Sequence, residues 1–167
     1  MEAWIHRIPS PLGDLYAVRA EGAIVGLSFD PEAAEHRWAA GPGAATIDSR
    51  ALLPLQRQLG DYFEGRRRCF DLPLDLRGTP FQRRVWEEVG RIPWGHTATY
   101  GDLARRLGAP GSARAIGAAV GANPVLLLVP CHRVLGASGR LTGYAGGLDR
   151  KARLLRLEGG EPAVRSR

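Results

Sequence analysis

The segment "TATYGDLARRLGAPGSARAIGAAVGANP", Thr97–Pro124, decides the architecture of the second half of the chain. It contains two short stretches with helical periodicity, separated by the turn "GAPG". Leu103 and Leu107 give the first stretch an apolar stripe, and Ser112 is placed to cap the second. The residues expected on the buried side of the second stretch are Ile116, Val120 and either Ala115 or Ala119. Two short helices around a glycine turn predict a helix-turn-helix, although many helical proteins contain such a pair without binding DNA.

The opposite face of the second helix carries almost no side chain. Positions 114, 117, 118 and 121 are Arg, Gly, Ala and Gly. Each glycine inside a helix costs about 1 kcal/mol relative to alanine, so close approach to another surface should offset that cost. That surface is either a neighbouring helix, which this helix alone slightly favours, or a DNA groove in which Arg114 contacts or replaces a base.

A second unusual stretch is "NPVLLLVPCHRV", 123–134, in which an apolar run, expected to be a buried strand, ends at Cys131 and His132. A thiol reacts as thiolate, and a nearby histidine favours that form. Adjacent strand residues point to opposite faces, so the pair needs a turn or an intervening water. A carboxylate such as Glu158 could orient the imidazole. A buried core cysteine, a metal ligand and a cysteine hydrolase remain alternatives, but the latter two have no supporting motif.

The first half of the chain has the pattern of paired strands followed by helices. "AWIHRI" and "LYAVRAEGAIVGLSF" alternate as strands, with a hairpin tip at Glu21-Gly22. Helices are expected in "PEAAEHRWAA" and in "SRALLPLQRQLGDYFEG". The apolar residues at helical spacing in the second of these are Leu52, Leu55, Leu59 and Phe63. A small antiparallel sheet with packed helices is therefore expected over residues 1–77.

The second half, residues 78–167, opens with a helix in "TPFQRRVWEEVGRIPWG" and closes with one in "LDRKARLLRLEGG". Thr79 is the expected N-cap of the first, Pro80 its first residue, and Gly90 or Pro93 its end. The fold class expected for the whole chain is therefore α+β, with one domain in each half.

Charge is divided unevenly between the halves. Residues 1–77 carry 9 basic and 11 acidic side chains, whereas residues 78–167 carry 14 and 6. The excess of basic residues in the second half is equally consistent with nucleic-acid binding and with a solvated arginine-rich surface. With only two cysteines, no signal-peptide pattern and no run of the roughly 20 apolar residues that a membrane span needs, the chain is expected to be cytoplasmic, with free thiols.

Five segments in order strongly resemble the O6-alkylguanine-DNA alkyltransferases, also called methylated-DNA–protein-cysteine methyltransferases. They are "TPFQRRVW", "IPWGHTATYGDLA", "ARAIGAAVGANP", "VPCHRV" and "GYAGGL". The resemblance runs from Thr79 to Gly159 and includes the Pro-Cys-His-Arg motif of the family. "SPLGDL" and "GAIVGLSF" more weakly resemble its ribonuclease-H-like N-terminal domain. The resemblance implies a ribonuclease-H-like domain with an antiparallel sheet and helices in the first half of the chain. A winged helix-turn-helix-like domain for DNA binding and catalysis is implied in the second half.

The resemblance also implies a reaction and roles for single residues. The helix-turn-helix binds the minor groove, the alkylated guanine is flipped out, and Arg114 fills its place. Cys131 then takes the alkyl group irreversibly, from O6-alkylguanine and also from O4-alkylthymine, so that each molecule acts once. His132 relays the thiol proton through water, Glu158 orients His132, and Asn123 binds the turn. Tyr100 gives a proton to the base. DNA contacts are implied for Tyr100, Arg114, Ala115, Gly117 and Ala118.

The pocket for the flipped base is the last element that the resemblance implies. Its expected residues are Pro130, Val134, Tyr144 and Ala145, with the carbonyls of Cys131 and Val134 accepting from the exocyclic amine of guanine. Some relatives have serine at position 145, so alanine there is expected to alter substrate tolerance. No metal and no cofactor are expected, and the partner of the monomeric protein is double-stranded DNA. The alternative function is a helix-turn-helix protein that binds lesions or regulates without transfer, as relatives lacking the cysteine do.

Overall fold

The computed structural model describes residues 3–37, 49–159 and 164–165. The chain divides into two compact units, one of Met1–Arg77 with Pro124–Leu126 and the other of Gly78–Asn123 with Leu127–Arg167. Across the described ranges, no helix is long and apolar enough to cross a membrane. The architecture is α+β, as the sequence predicts.

The first unit is built on a three-stranded antiparallel sheet. Its strands are β1 (Ala3–Ile8), β2 (Leu15–Ala20) and β3 (Ala23–Ser28), in the order β1-β2-β3. Glu21 and Gly22 form the predicted hairpin tip, and both have positive φ, 50° and 86°. Two-residue hairpin turns of the primed type require such angles.

Two helices of the first unit follow the sheet. Helix α1 (Pro31–Arg37) packs its Ala34 into the cluster of Val18, Ala20 and Val25. Helix α2 (Leu53–Phe63) follows a 3-10 turn at Ser49–Leu52. Its buried side chains are Leu55, Leu59 and Tyr62, and Leu52 is buried just before it. The prediction of Phe63 on this face needs correction, because Tyr62 continues the spacing of Leu55 and Leu59 and Phe63 is only half-buried.

The apolar run before Cys131 is not a regular strand, and this corrects the prediction. Val125 forms an isolated bridge with Leu27, and the Leu126 N–H donates to the Leu27 carbonyl at 2.9 Å. Leu127 then has a φ of 71°, in the left-handed region that ends extended pairing. The chain therefore turns three residues before Pro130 and does not run straight into the cysteine.

The second unit contains the predicted helix-turn-helix. Helix α3 (Pro80–Gly90) begins at Thr79 with a complete capping box, in which Thr79 and Gln82 exchange hydrogen bonds. Helices α4 (Tyr100–Arg106) and α5 (Ala113–Gly121) follow. The Trp86 indole N–H donates to the Ala119 carbonyl at 2.8 Å and fixes α3 against α5. These three helices form the support for the exposed face of α5.

Short strands and a last helix complete the second unit. Strand β4 (Ala98–Thr99) pairs in parallel with β5 (Val134–Leu135), and β6 (Arg140–Leu141) with β7 (Val164–Arg165). Helix α6 (Leu148–Leu157) ends at its C-cap residue, Glu158. Leu135, Leu141, Ala152 and Leu155 form one apolar cluster that holds α6 beside the loop after the cysteine.

Candidate active site and nucleic-acid interface

Cys131 lies in a hydrogen-bonded 3-10 turn, Cys131–Arg133. The Cys131 N–H donates to the Val129 carbonyl at 2.8 Å, and the Asn123 side-chain amide donates to the same oxygen at 2.8 Å. Asn123 is buried, with 4% of its surface exposed. It therefore joins the end of α5 to the segment that leads into the turn of Cys131.

His132 and Glu158 form a buried pair. His132 Nε2 and Glu158 Oε2 are 2.9 Å apart, and both side chains are almost completely buried. An ionised carboxylate only accepts hydrogen bonds, so Nε2 carries the hydrogen and Nδ1 carries the lone pair. Burial lowers the pKa of His132, and Glu158 only partly opposes that effect. His132 is therefore a neutral base at neutral pH, and its acceptor atom Nδ1 is buried without a hydrogen bond to any described residue.

Arg133 completes this group, and the sequence reasoning gave it no role. Its Nε and Nη2 each lie 2.8 Å from one oxygen of Glu158, and Nη1 donates to the Ile92 carbonyl at 2.6 Å. Burial disfavours the charged form of Glu158, but hydrogen bonds from Arg133 and His132 hold its pKa at about 2. The sequence signal for Arg133 was its place as the fourth residue of the Pro-Cys-His-Arg motif. A guanidinium paired with a buried carboxylate fixes the orientation of both planar groups.

The thiol itself is not ionised in the resting protein. Burial raises the pKa of Cys131 to about 11, against opposing effects of a hydrogen bond from Asn123 and of the charge on Lys151. Lys151, the only lysine of the chain, is buried, and burial lowers its pKa to about 8. Reaction of Cys131 therefore requires its proton to leave as the new bond forms. Lys151 could not be predicted from the sequence, because its burial follows only from the packing of α6.

The residues predicted for a pocket wall differ in exposure. Pro130 and Val134 are buried, Tyr144 is half-buried, and Ala145 is exposed. The Tyr144 ring meets the His132 ring edge to face, with centroids 6.5 Å apart. The Val134 N–H donates to the Cys131 carbonyl, which keeps a second lone pair for another donor. The geometry brings Tyr144 to His132, whereas Ala145 is exposed.

Helix α5 exposes the face that was predicted to carry almost no side chain. Arg114, Ala118 and Gly121 are exposed and Gly117 is half-buried. Ala119 is the buried alanine, and Ala115 is exposed. Ser112 is at the N-cap position but its side chain makes no capping bond, since its φ and ψ of −93° and 18° are not the extended values that aim the hydroxyl at the helix. Ser112 therefore occupies the predicted N-cap position, but the predicted capping by its side chain is not observed.

Packing within the second unit does not account for the two glycines of α5. A Cβ on Gly117 would lie 3.7 Å from the nearest Tyr100 ring carbon, an ordinary contact, and a Cβ on Gly121 would meet no described atom within 4 Å. Alanine, the better helix former, would fit at both positions. Close packing against a neighbouring helix of the unit therefore does not explain these glycines. The alternative explanation, close approach of another molecule such as DNA, is favoured.

The site offers nucleophilic chemistry assisted by a base. It contains a buried thiol, a neutral imidazole with a free lone pair, and a carboxylate held by an arginine. In the parts of the chain that the structure describes, no group of three or more His, Cys, Asp or Glu side chains could hold a metal ion. The arrangement can take a proton from sulfur while sulfur attacks carbon.

Comparison with known proteins places both units in one family. Residues 80–160 match the family "6-O-methylguanine DNA methyltransferase, DNA binding domain", and residues 5–76 match "6-O-methylguanine DNA methyltransferase, ribonuclease-like domain". The methylated-DNA–protein-cysteine methyltransferase of Mycobacterium bovis is 46% identical over 157 residues, which cover 90% of this chain and 89% of that protein. The protein of the same name from Mycolicibacterium paratuberculosis is 58% identical over 113 residues, 68% of each chain.

Solved structures give the same result. The Mycobacterium tuberculosis OGT crystallised in complex with DNA is similar with a TM-score of 0.82 and 45% identity, over 95% of each chain. The M. tuberculosis O6-methylguanine methyltransferase gives a TM-score of 0.80 at 44% identity, over 93% of this chain and 92% of that one. The chain therefore belongs to the 6-O-methylguanine DNA methyltransferase family, the methylated-DNA–protein-cysteine methyltransferases.

Proposed function

We propose that this protein repairs alkylated DNA by direct reversal, with Cys131 as the acceptor of the alkyl group. The observation that carries the proposal is the buried, hydrogen-bonded series of His132, Glu158 and Arg133, whose first member follows Cys131 in the same 3-10 turn. Such a series gives a thiol of raised pKa the base that it needs. Family membership supplies the substrate class, guanine alkylated at O6 in double-stranded DNA.

The reaction is a displacement at the alkyl carbon. Sγ of Cys131 forms a bond to that carbon while the bond from carbon to O6 breaks, and its electron pair moves into the guanine ring. The thiol proton passes to Nδ1 of His132 through a bridging water, and Glu158 stabilises the imidazolium through Nε2. Tyr100 gives its hydroxyl proton to a ring nitrogen of guanine, which makes the base a better leaving group.

Single turnover follows from the product. A thioether lacks the activated carbonyl that allows water to release a thioester, so Cys131 remains alkylated. Each molecule then accepts one group. The alternative of a lesion-binding protein without transfer has no use for a thiol beside an imidazole base, and the presence of both Cys131 and His132 favours transfer.

DNA binding is proposed for the exposed face of α5. Arg114, Ala115, Gly117 and Ala118 meet the minor groove, and Arg114 occupies the space of the flipped base. Tyr100 lies beside this face, since a methyl group on Gly117 would touch its ring. Small side chains permit close approach of the helix backbone, and the basic excess of residues 78–167 supplies attraction to phosphates.

Finer expectations belong to the same proposal. The protein acts in the cytoplasm as a monomer, with a domain boundary between Arg77 and Gly78. Pro130, Val134 and Tyr144 line the base pocket. Ala145 cannot donate a side-chain hydrogen bond to O6, so a backbone N–H takes that part and the tolerance for larger alkyl groups changes. O4-alkylthymine is a second substrate.

One experiment tests the proposal directly. The protein is incubated with duplex DNA that carries a labelled methyl group on guanine O6, and the intact protein and its peptides are then weighed. We expect one methyl group on the peptide that contains Cys131, and no more than one equivalent transferred with excess DNA. Tight binding without transfer would support the lesion-binding alternative, and release of methanol over many turnovers would indicate a hydrolase. A duplex carrying O4-methylthymine tests the second substrate in the same assay.

A further inference from the structure

Thr142 contacts the residue to which the proposed mechanism assigns proton donation. Its Oγ1 lies 3.0 Å from the hydroxyl oxygen of Tyr100. Tyr100 is the first residue of α4, and Thr142 lies in the loop between β6 and α6, 42 positions later in the chain. Both side chains are half-buried. The contact is therefore long-range, and only the folded second unit brings the two hydroxyls together.

Two further contacts fix the orientation of Thr142. Lys151 Nζ donates to the Thr142 backbone carbonyl at 2.9 Å. On the other side, a Cβ built on Gly136 would lie 2.6 Å from the Thr142 Cγ2, a distance too short for any side chain. The methyl group of Thr142 thus occupies the space that a side chain at position 136 would take. Because the substituents of the threonine Cβ have a fixed arrangement, a methyl group in the space over Gly136 places the hydroxyl toward Tyr100.

The two hydroxyls can exchange roles during the reaction. In the resting protein either oxygen can be the donor. Once the Tyr100 proton moves to the alkylated base, its oxygen carries negative charge and can only accept. The Thr142 hydroxyl can then only donate to it, and hydrogen bonds to ionised oxygens are about twice as strong as neutral ones. A donor fixed before the reaction stabilises the developing charge without reorganisation.

We propose that Thr142 is a positioning residue for alkyl transfer, which acts through Tyr100 by donating a hydrogen bond to the phenol oxygen as that oxygen gives up its proton. Thr142 keeps its own proton throughout, and Tyr100 regains one from solvent after the repaired base leaves. The proposal rests on the proposed function, and in particular on Tyr100 as the proton donor. Neither Thr142 nor Gly136 was singled out by the sequence motifs.

The test is a double-mutant cycle on the single-turnover rate of methyl transfer to Cys131 from duplex DNA. Thr142→Val keeps the shape and removes the hydroxyl, Thr142→Ser keeps the hydroxyl and removes the methyl, and each is made with Tyr100 and with Tyr100→Phe. We expect Thr142→Val to slow transfer about tenfold, the effect of one hydrogen bond to a charged group. Thr142→Ser should stay within about twofold of the unmodified protein, and Thr142→Val should cause no further loss beside Tyr100→Phe. Thr97→Val, the same change at an exposed threonine, is the matched control.

Gly136 allows a second test that does not alter either hydroxyl. Gly136→Ala must displace the Thr142 methyl and turn its hydroxyl away from Tyr100, so we expect slowing similar to that of Thr142→Val. Combined with Thr142→Ser, which lacks that methyl, Gly136→Ala should be tolerated and the rate recovered. Thermal unfolding of each variant identifies any that fail to fold, and Thr142→Ala replaces Thr142→Val in the cycle if that variant does.

Several outcomes would overturn the proposal. Equal slowing by Thr142→Val with and without the Tyr100 hydroxyl would mean that Thr142 acts on pocket shape alone. The same conclusion follows if Thr142→Ser is as slow as Thr142→Val. An unchanged rate in Tyr100→Phe would remove the donor role on which Thr142 depends, while transfer to Cys131 would still stand. Absence of methyl transfer by the unmodified protein would instead refute the proposed function itself.

Discussion

The two cysteines of this chain lie in opposite environments. Cys69 is exposed, in the segment that follows Arg66, Arg67 and Arg68, and Cys131 is buried in a turn with 4% of its surface exposed. Access alone would favour Cys69 as the reactive thiol. Cys131 has a raised pKa, but His132 follows it in the same turn and is paired with Glu158, and the Asn123 amide binds the carbonyl that also accepts from the Cys131 N–H. The role proposed for Cys131 therefore depends on the imidazole that follows it in the turn and not on its exposure.

The largest expected effect separates the two cysteines directly. Cys131→Ser should abolish methyl transfer, because a hydroxyl is a far weaker nucleophile than a thiolate, and should leave DNA binding intact. Cys69→Ser is the matched control and should transfer one methyl group at an unchanged rate. Both are measured by peptide mass after incubation with methylated duplex DNA. Methyl groups found on Cys69, or loss of DNA binding in Cys131→Ser, would reverse the comparison.

The second largest effect is expected when His132 loses its carboxylate partner, Glu158. Glu158→Gln takes the negative charge away from His132 and leaves the buried Arg133 without its ionic partner. We expect transfer to slow about a hundredfold, as for loss of general-base catalysis, and the free energy of unfolding to fall by about 3 kcal/mol, since breaking a buried pair strands a charge.

The control for that change is Glu87→Gln. Glu87 pairs with Arg91 on the exposed side of α3, where both side chains are more than 60% exposed. Such pairs contribute about 0.5 kcal/mol or less. Denaturant unfolding and single-turnover rates of both variants give the comparison. Equal effects of the two substitutions would show that burial of the Glu158 pair contributes nothing.

A smaller effect concerns the exposed face of α5. Arg114→Ala should slow transfer from duplex DNA about tenfold, because the space left by a flipped base is then unfilled. With a free alkylated guanine base, which needs no flipping, the rate should stay unchanged. Arg57→Ala, a change of an exposed arginine on α2, is the control for loss of charge. Equal losses on duplex and free base would assign Arg114 to the fold and not to flipping.

The most gradual effect is the response of stability to acid. Glu158 has a pKa of about 2 when folded and an ordinary value of 4.5, so as pH falls through this interval the unfolded chain binds a proton that the folded chain does not. Folding therefore loses about 3 kcal/mol from this group between pH 4.5 and 2. The lowered pKa of His132 acts in the same direction below pH 6.5. Denaturant midpoints across this range, compared between the unmodified protein and Glu158→Gln, should converge at low pH, and parallel curves would contradict the assignment.

Much of the fold follows from local rules that the sequence carries. Thr79, Pro80 and Gln82 form their capping box because the residues lie within one turn. The hairpin tip at Glu21-Gly22 likewise depends on two neighbouring residues. The predictions that the structure corrects concern residues whose conformation depends on packing with distant parts of the chain. The positive φ of Leu127 has no local sequence signal, since leucine rarely adopts it, and the pattern of apolar residues therefore indicated a strand.

The candidate site divides in the same way. Cys131, His132 and Glu158 could be named from the motif and the resemblance, and the structure brings His132 and Glu158 into contact. Thr142 and Lys151 could not be assigned, because their hydrogen-bond partners lie 8 to 42 positions away in the chain. Arg133 belongs to the motif, but its contact with Glu158 follows only from the fold. Charged residues such as Arg133 and Lys151 are expected at the surface by default.

The burial of Lys151 has a practical consequence for chemistry on this protein. The chain has one lysine, and its amine is enclosed and engaged with the carbonyls of Thr142 and Gly143. Reagents that acylate amines therefore find no lysine on the surface of the folded second unit. Acylation of Lys151 requires the structure around its amine to open, so the extent of modification over time measures how often this part of the second unit opens.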